Sequence, residues 1–357
     1  MAIDPASDLR TSDAGSALTV DVAGQTVGRR GGEEHAEAGT SPWRLAMRRL
    51  RRNRTALAFG ALFGLLVAAC VAAPVFASQV AGTGPEQNHL SDTIMIDGRE
   101  VNVVGFDGVP IGPTWGGKFL LGADSNGRDV MVRLLYGGRN SLMIGVSAAL
   151  LTMVLAVVLG VAAGYLRGWT DGVISRLLDV LWAFPAIILG VALGVALALG
   201  GIDIGPIEIA GDSLLMPVLV IGVIYVPYVA RPIRGQVLSL REKEFVEAAR
   251  AQGAGGLRIM VSEIMPNLAT TIIVFFPLVV ANAILLEASL SFLGAGVRPP
   301  AASWGTMIND GITRIVTGPH LAVVPGLMLV LTVLALNVFG DGCRDALDPR
   351  AKIRLEH

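Results

Sequence analysis

Six apolar runs dominate this chain, at roughly 55–77, 142–165, 180–200, 214–230, 270–289 and 321–340. Runs of about 17–25 residues match the thickness of a bilayer's hydrocarbon core. A backbone N–H or C=O there finds no water, so each run must pair its own polar groups as a helix. Strict alternation of apolar and polar residues, the mark of a membrane β-barrel, is absent. Charged residues make up only 16% of the chain and are concentrated between the runs. The expected fold class is therefore an all-α integral membrane protein with six transmembrane helices. Pro217 and Pro227 predict a kink in the fourth.

Arginines orient the chain, because basic residues collect on the cytoplasmic side. Arg44, Arg48, Arg49, Arg51, Arg52 and Arg54 stand directly before the first run. Arg231, Arg234, Arg241, Lys243, Arg250 and Arg258 follow the fourth, and Arg344, Arg350, Lys352 and Arg354 follow the sixth. Segment 201–213 carries Asp203, Glu208 and Asp212 and no Lys or Arg. Both termini are expected in the cytoplasm. The loop at 78–139 is then extracytoplasmic despite its own arginines, a tolerated exception for a long loop. Within it, alternation around Asp97-Gly98 suggests a short hairpin, and 124–135 reads as an amphipathic interfacial helix, with a solvated loop as the alternative for each. Arg128 and Asp129 are expected to brace that helix.

The expected organisation is a disordered cytoplasmic tail at 1–42, a basic juxtamembrane segment at 43–54 and the first span at 55–77. The outer loop (78–139), a five-helix core (140–344) and a second cytoplasmic tail (345–357) follow. The first forty residues lack the apolar centre of a signal peptide.

Several function classes recede on this reading. A net charge of -1 supplies no basic field for nucleic acid. Cys70 and Cys343 read as two unpaired thiols, and His35, His89, His320 and His357 have no metal-ligand spacing. No G-x-x-x-x-G-K-[ST] loop is present, so the chain is not read as an ATPase, and no cofactor is expected on it. Ion-coupled carriers bury ionisable side chains mid-span. Here Asp179, Glu287 and Asp341 lie near span ends, with Asn282 and Asn337 the deepest polar side chains. Glu287 reads either as a substrate contact or as a locally paired carboxylate. The two asparagines read either as pathway groups or as bonds between helices.

The connection between the fourth and fifth runs has a pattern of its own. Ser239-Leu240-Arg241-Glu242 has the form of a capping box and predicts a helix start. Phe245, Ala248, Ala249 and Gln252 then fall on one helical face. Gly253 predicts a turn with positive φ, and Leu257, Met260, Val261 and Ile264 form a second stripe that Pro266 closes. Two short helices on a glycine turn either pack on the ends of the spans or enter a groove on a partner.

Glu247-Ala248-Ala249, then Gly253, then Pro266 resembles the EAA loop of permease subunits in bacterial ABC importers. Glu263 and Met265 depart from the usual apolar residue and leucine of that pattern. The likeness extends over roughly 55–352. Gly127-Arg128-Asp129, Glu287-Ala288-Ser289-Leu290-Ser291-Phe292-Leu293-Gly294 and Arg344-Asp345-Ala346-Leu347-Asp348-Pro349 resemble the second permease of dipeptide, oligopeptide and nickel systems. The resemblance implies a type I ABC importer permease fold in the bacterial inner membrane. It implies a homologous second permease, two ABC ATPase subunits that hold ATP and Mg, and an extracytoplasmic substrate-binding protein. It assigns ATPase coupling to Phe245, Glu247, Ala248, Ala249, Gly253 and Pro266 in the EAA loop at 239–267, with Ala249 facing the ATPase groove. Di- or oligopeptides are the implied cargo, with nickel chelates or another peptide-like solute as the alternative.

Overall fold

A computed structural model describes residues 42–96 and 98–347. The expected tails at 1–42 and 345–357 fall almost wholly outside these residues. The described residues open with α1 (Pro42–Arg52), α2 (Arg54–Val71) and α3 (Ala73–Phe76), which runs on as a π turn, Ala77–Ala81. A hairpin of β1 (Thr93–Ile96) and β2 (Arg99–Asn102) precedes α4 (Val130–Leu166). Next come α5 (Gly168–Ala183), α6 (Ala186–Gly200), a hairpin of β3 (Ile202–Ile204) and β4 (Ile207–Ile209), α7 (Leu215–Ile224) and α8 (Val226–Leu240). The chain continues with α9 (Glu244–Ala251), α10 (Gly256–Arg258), a π turn (Ile259–Ile264) and α11 (Met265–Phe292), and ends with α12 (Trp304–Ile312) and α13 (His320–Leu347).

Among the described residues, four stretches are long and apolar enough to cross a membrane: Arg54–Val71, Val130–Leu166, Gly256–Phe292 and His320–Leu347. The pairs α5/α6 and α7/α8 pass the same test but are bent by 92° and 41°. The sharper bend replaces the straight helix expected at 180–200. Phe184 is extended (φ -97, ψ 138) because Pro185 follows it. The gentler bend belongs to Pro227, at the start of α8 just after Tyr225. Pro217 sits in the first turn of α7, where its missing N–H removes no helical bond.

α4 forms the centre, packing against α8, α11 and α7. Glycines permit that approach. A Cβ on Gly160 would stand 2.8 Å from the Ala230 carbonyl oxygen, and one on Gly164 2.9 Å from that of Arg234. Small residues at helix contacts are how spans associate when lipid offers no hydrophobic drive.

The interfacial helix expected at 124–135 does not form. Asp124–Arg128 is a turn, with the Asp124 carboxylate accepting the N–H groups of Asn126 and Arg128, both at 2.9 Å. The helix starts at Val130 and continues unbroken through the second span, with Val130, Val132, Leu134 and Leu135 buried in protein rather than facing lipid. Asp129 is its N-cap, accepting from Met131 N (2.9 Å) and Val132 N (3.1 Å), and from Phe119 N (2.6 Å) in the outer loop. Burial pushes the Asp129 carboxyl upward, and these three donors pull against that shift. Arg128 braces the same corner, bonding Asp124 at 2.7 Å and reaching Asp310 of α12 at 3.6 Å.

β1 and β2 pair from Thr93↔Asn102 to Ile96↔Arg99, as the alternation predicts; the turn residue Asp97 lies outside the described residues. The β3–β4 hairpin, the α12 helix and a small core of Val103, Ile111, Phe119 and Ala123 in the outer loop were not anticipated.

Candidate coupling site

The segment between α8 and α11 forms a helix and a turn braced against the end of α4. The capping box expected at Ser239–Glu242 is not used. Val237 and Leu240 belong to the core of the bundle, so α8 continues to Leu240, and Arg241 N closes it on Val237 O at 2.9 Å. Glu242 pairs with Arg167 instead, and α9 begins at Glu244 after an extended Lys243 (φ -87, ψ 149). Glu244 and Glu247 in the first turn and Arg250 in the last complement the helix dipole.

α9 has two faces. Val246 is wholly buried, and Ala249 packs against the same core. Phe245, Glu247 and Ala248 are exposed. Phe245 and Ala248 therefore do not share an inward stripe with Ala249. The outward small residue is Ala248, which corrects the expectation that Ala249 faces a partner groove. The correction is one of helical phase: Val246 and Ala249 are i, i+3 neighbours, and Val246 is the larger apolar group.

Gly253 has φ +84, as expected of the turn residue. Ala254 N bonds Ala249 O at 3.0 Å and Gly253 N bonds Arg250 O at 2.9 Å, so the turn closes the carbonyl end of α9 in the Schellman manner. No atom lies within 4 Å of a Cβ built there, so only the backbone angle calls for glycine.

Pro266 does not close a second helix. The run from Gly256 to Phe292 is continuous, and Pro266 lies exposed in the first turn of α11. The π turn before it brings Met265 N onto Met260 O, five residues back, a wider register beside the proline ring. Ile259, Ile264 and Leu268 anchor this rod in the core. At about 1.5 Å per residue, its 37 residues reach well beyond the hydrocarbon thickness.

Tyr165, near the end of α4, is a residue the sequence reading missed. Arg241 and Arg250 lie 5.7 and 5.6 Å from its ring, and Arg241 Nη1 donates to its carbonyl oxygen. A lone aromatic at the end of an apolar run signals an interface and nothing more specific.

The candidate pathway groups do not converge. The backbone carbonyl of Asn282 accepts from Tyr225 Oη at 3.3 Å. Asn337 lines a cavity of about 300 Å³ between α11 and α13, with Thr270, Thr271, Asp341 and Arg344. Glu287 is wholly buried and accepts from Ser291 Oγ at 2.6 Å, with Ser141 and Ser303 beside it. Its Oε1 is thus paired locally, whereas the buried Oε2 has no hydrogen-bond partner among the described residues. Among the described residues, no three His, Cys, Asp or Glu side chains gather as a metal site.

A bundle of apolar, partly broken helices with a braced helix–turn at one end is a multi-span membrane permease fold. Residues 156–353 match the family of binding-protein-dependent transport system inner membrane components. Residues 41–91 match the N-terminal TM domain of oligopeptide transport permease C. The chain belongs to this family of ABC importer permeases. It is similar to the glutathione transport system permease protein GsiD of Pectobacterium atrosepticum, 36% identical over 312 residues that cover 87% of this chain and 92% of that one. The GsiD protein of Escherichia coli O157:H7 matches with the same identity and coverage. Among solved structures, an inward-facing conformation of the MetNI methionine ABC transporter matches with TM-score 0.50 and 18% identity, over 61% of this chain and 97% of that chain. That likeness concerns the fold alone.

Proposed function

We propose that this chain forms half of the translocation pathway of an ATP-driven, binding-protein-dependent importer of small peptides, and that α9 is the helix through which ATPase subunits move it. The observation that carries the reading is the two-faced α9. Its inner face is held by Val246, Ala249 and the Tyr165 platform, and its outer face offers Phe245, Glu247 and Ala248 to a partner. α9 also packs against the π turn, Ile259–Ile264, which runs on into α11. On α5 and α6 only Leu178, Gly190 and Gly194 are buried, which leaves an apolar surface for a second permease. The GsiD relatives transport glutathione, a peptide, which favours peptide-like cargo over a metal chelate.

In this reading both termini and the α8–α11 connection face the cytoplasm of a bacterial inner membrane, and ATP and Mg sit on the partner subunits. Two measurements test it. In a cysteine-free background, an impermeant thiol reagent added to sealed cells should label Glu208→Cys and spare Gly255→Cys. The tagged chain should retain ATPase subunits when purified from cells that express the whole system, and the Phe245→Ala/Ala248→Arg variant should lose them. Labelling of Gly255→Cys from outside, or undiminished ATPase retention by the double variant, overturns the proposal.

A further inference from the structure

We propose that α1 holds the phosphate headgroup of an anionic phospholipid. The helix is eleven residues long, PWRLAMRRLRR, and packs mainly against α13. Its inward side is built from Ala46, which is buried, and Leu45, Arg49 and Leu50, which are half-buried. The other side, Arg44, Met47, Arg48, Arg51 and Arg52, is exposed and lines an open hollow of about 460 Å³. Four guanidinium groups and one thioether thus share one exposed face, and among the described residues that line it there is no carboxylate.

Two further observations choose the occupant. The first concerns level. α2 starts at Arg54, one residue after α1 ends, and its first turn carries that arginine and no acid. The hollow therefore stands where a membrane helix enters the bilayer, the depth at which lipid phosphates lie. Its positive charge joins that of the α2 N-terminus. The second concerns amphipathy. Met47 is 53% exposed among the arginines. An exposed thioether beside four aliphatic arginine stems suits the boundary between headgroup and acyl chain, where basic side chains reach outward to the phosphates. An acidic protein surface would pair with the guanidinium groups and leave Met47 in water. Arginine's planar fork matches phosphate oxygens in pairs.

The test uses the full chain, purified in a mild nonionic detergent. It is incubated with equimolar phosphatidylglycerol and phosphatidylcholine of identical acyl chains, and the retained lipid is counted by native mass spectrometry. The wild type should retain phosphatidylglycerol over phosphatidylcholine by about tenfold or more, given the attraction of each basic residue to anionic lipid. The Arg44→Gln/Arg51→Gln/Arg52→Gln variant should fall to near parity. The matching triple lysine variant should keep most of the preference, which separates charge from folding. Arg99→Gln, on the β1–β2 hairpin, should change nothing. Inorganic phosphate at the same phosphate concentration should not displace the lipid. Parity in the wild type, an unchanged preference in the glutamine variant, or displacement by free phosphate each overturns the proposal. None of these outcomes depends on ATPase partners, so a failure here leaves the transport reading standing.

Discussion

The guanidinium of Arg241 lies 5.7 Å from the ring of Tyr165 and donates to the carbonyl oxygen of the same residue. One residue before the end of α4 thereby anchors the segment between α8 and α9, and Arg250 approaches the same ring from α9. The central helix of the bundle and α9 meet at this point.

Removing the ring should loosen that joint. Each partly exposed cation–π contact is worth about 0.5–1 kcal/mol. Losing two lowers the ratio of docked to undocked α9 by roughly five- to thirty-fold. Tyr165→Ala should therefore insert normally but reduce transport and speed protease cleavage at the α9 turn. Tyr165→Phe should stay within about twofold of wild type, since the contacts use the ring. Equal loss in both variants would assign the effect to the hydroxyl and count against the platform.

Adjacent alanines in α9 should respond in opposite ways. Ala249 packs half-buried against the core, so Ala249→Arg overpacks the contact with Val246's neighbours and costs about 1–3 kcal/mol. Low membrane abundance and early thermal unfolding are expected. Ala248 is exposed, so Ala248→Arg should leave abundance and melting temperature unchanged while ATPase retention falls. Immunoblots of membranes, thermal melts in detergent and co-purification read the three quantities. The reverse assignment would show that α9 is rotated about its axis relative to this structure.

At Gly253 the cost is conformational. A β-branched residue at φ +84 is an outlier, and the left-handed region costs an L-residue about 1–2 kcal/mol. Gly253→Val should uncouple transport from ATP hydrolysis with normal membrane abundance. Gly253→Asn should retain most activity, because asparagine tolerates that region. With no neighbour within 4 Å, an Asn variant as damaged as Val would point to an unseen contact at this turn.

The start of α4 offers a stability test away from coupling. Asp129→Ala removes a cap that three backbone N–H groups use. N-cap loss costs about 0.5–2 kcal/mol, and the stranded Phe119 N–H adds about 1–3 kcal/mol. A clear drop in melting temperature is expected in detergent, with Asp129→Asn intermediate. A melting temperature equal to wild type would mean that water satisfies this corner.

Membrane class, the rough position of the apolar runs, the β1–β2 hairpin and the turn at Gly253 were legible in the sequence, because each rests on local chemistry. Twenty apolar residues have one favourable environment, a two-residue alternation marks a hairpin, and positive φ calls for glycine. The face that α9 presents, the continuation of α8 past Ser239, the unbroken rod through Pro266 and the 92° bend at Pro185 were decided by tertiary packing. Ser239-Leu240-Arg241-Glu242 carries a valid capping pattern. It loses because Val237 and Leu240 gain more from burial in the bundle core, and Arg241 gains Tyr165. Ala248 and Ala249 are chemically identical. Only the burial of Val246, one helical turn before Ala249, decides which methyl points inward. Local sequence sets what each segment is able to form; contacts between residues distant in the chain select which of those options also fills the core.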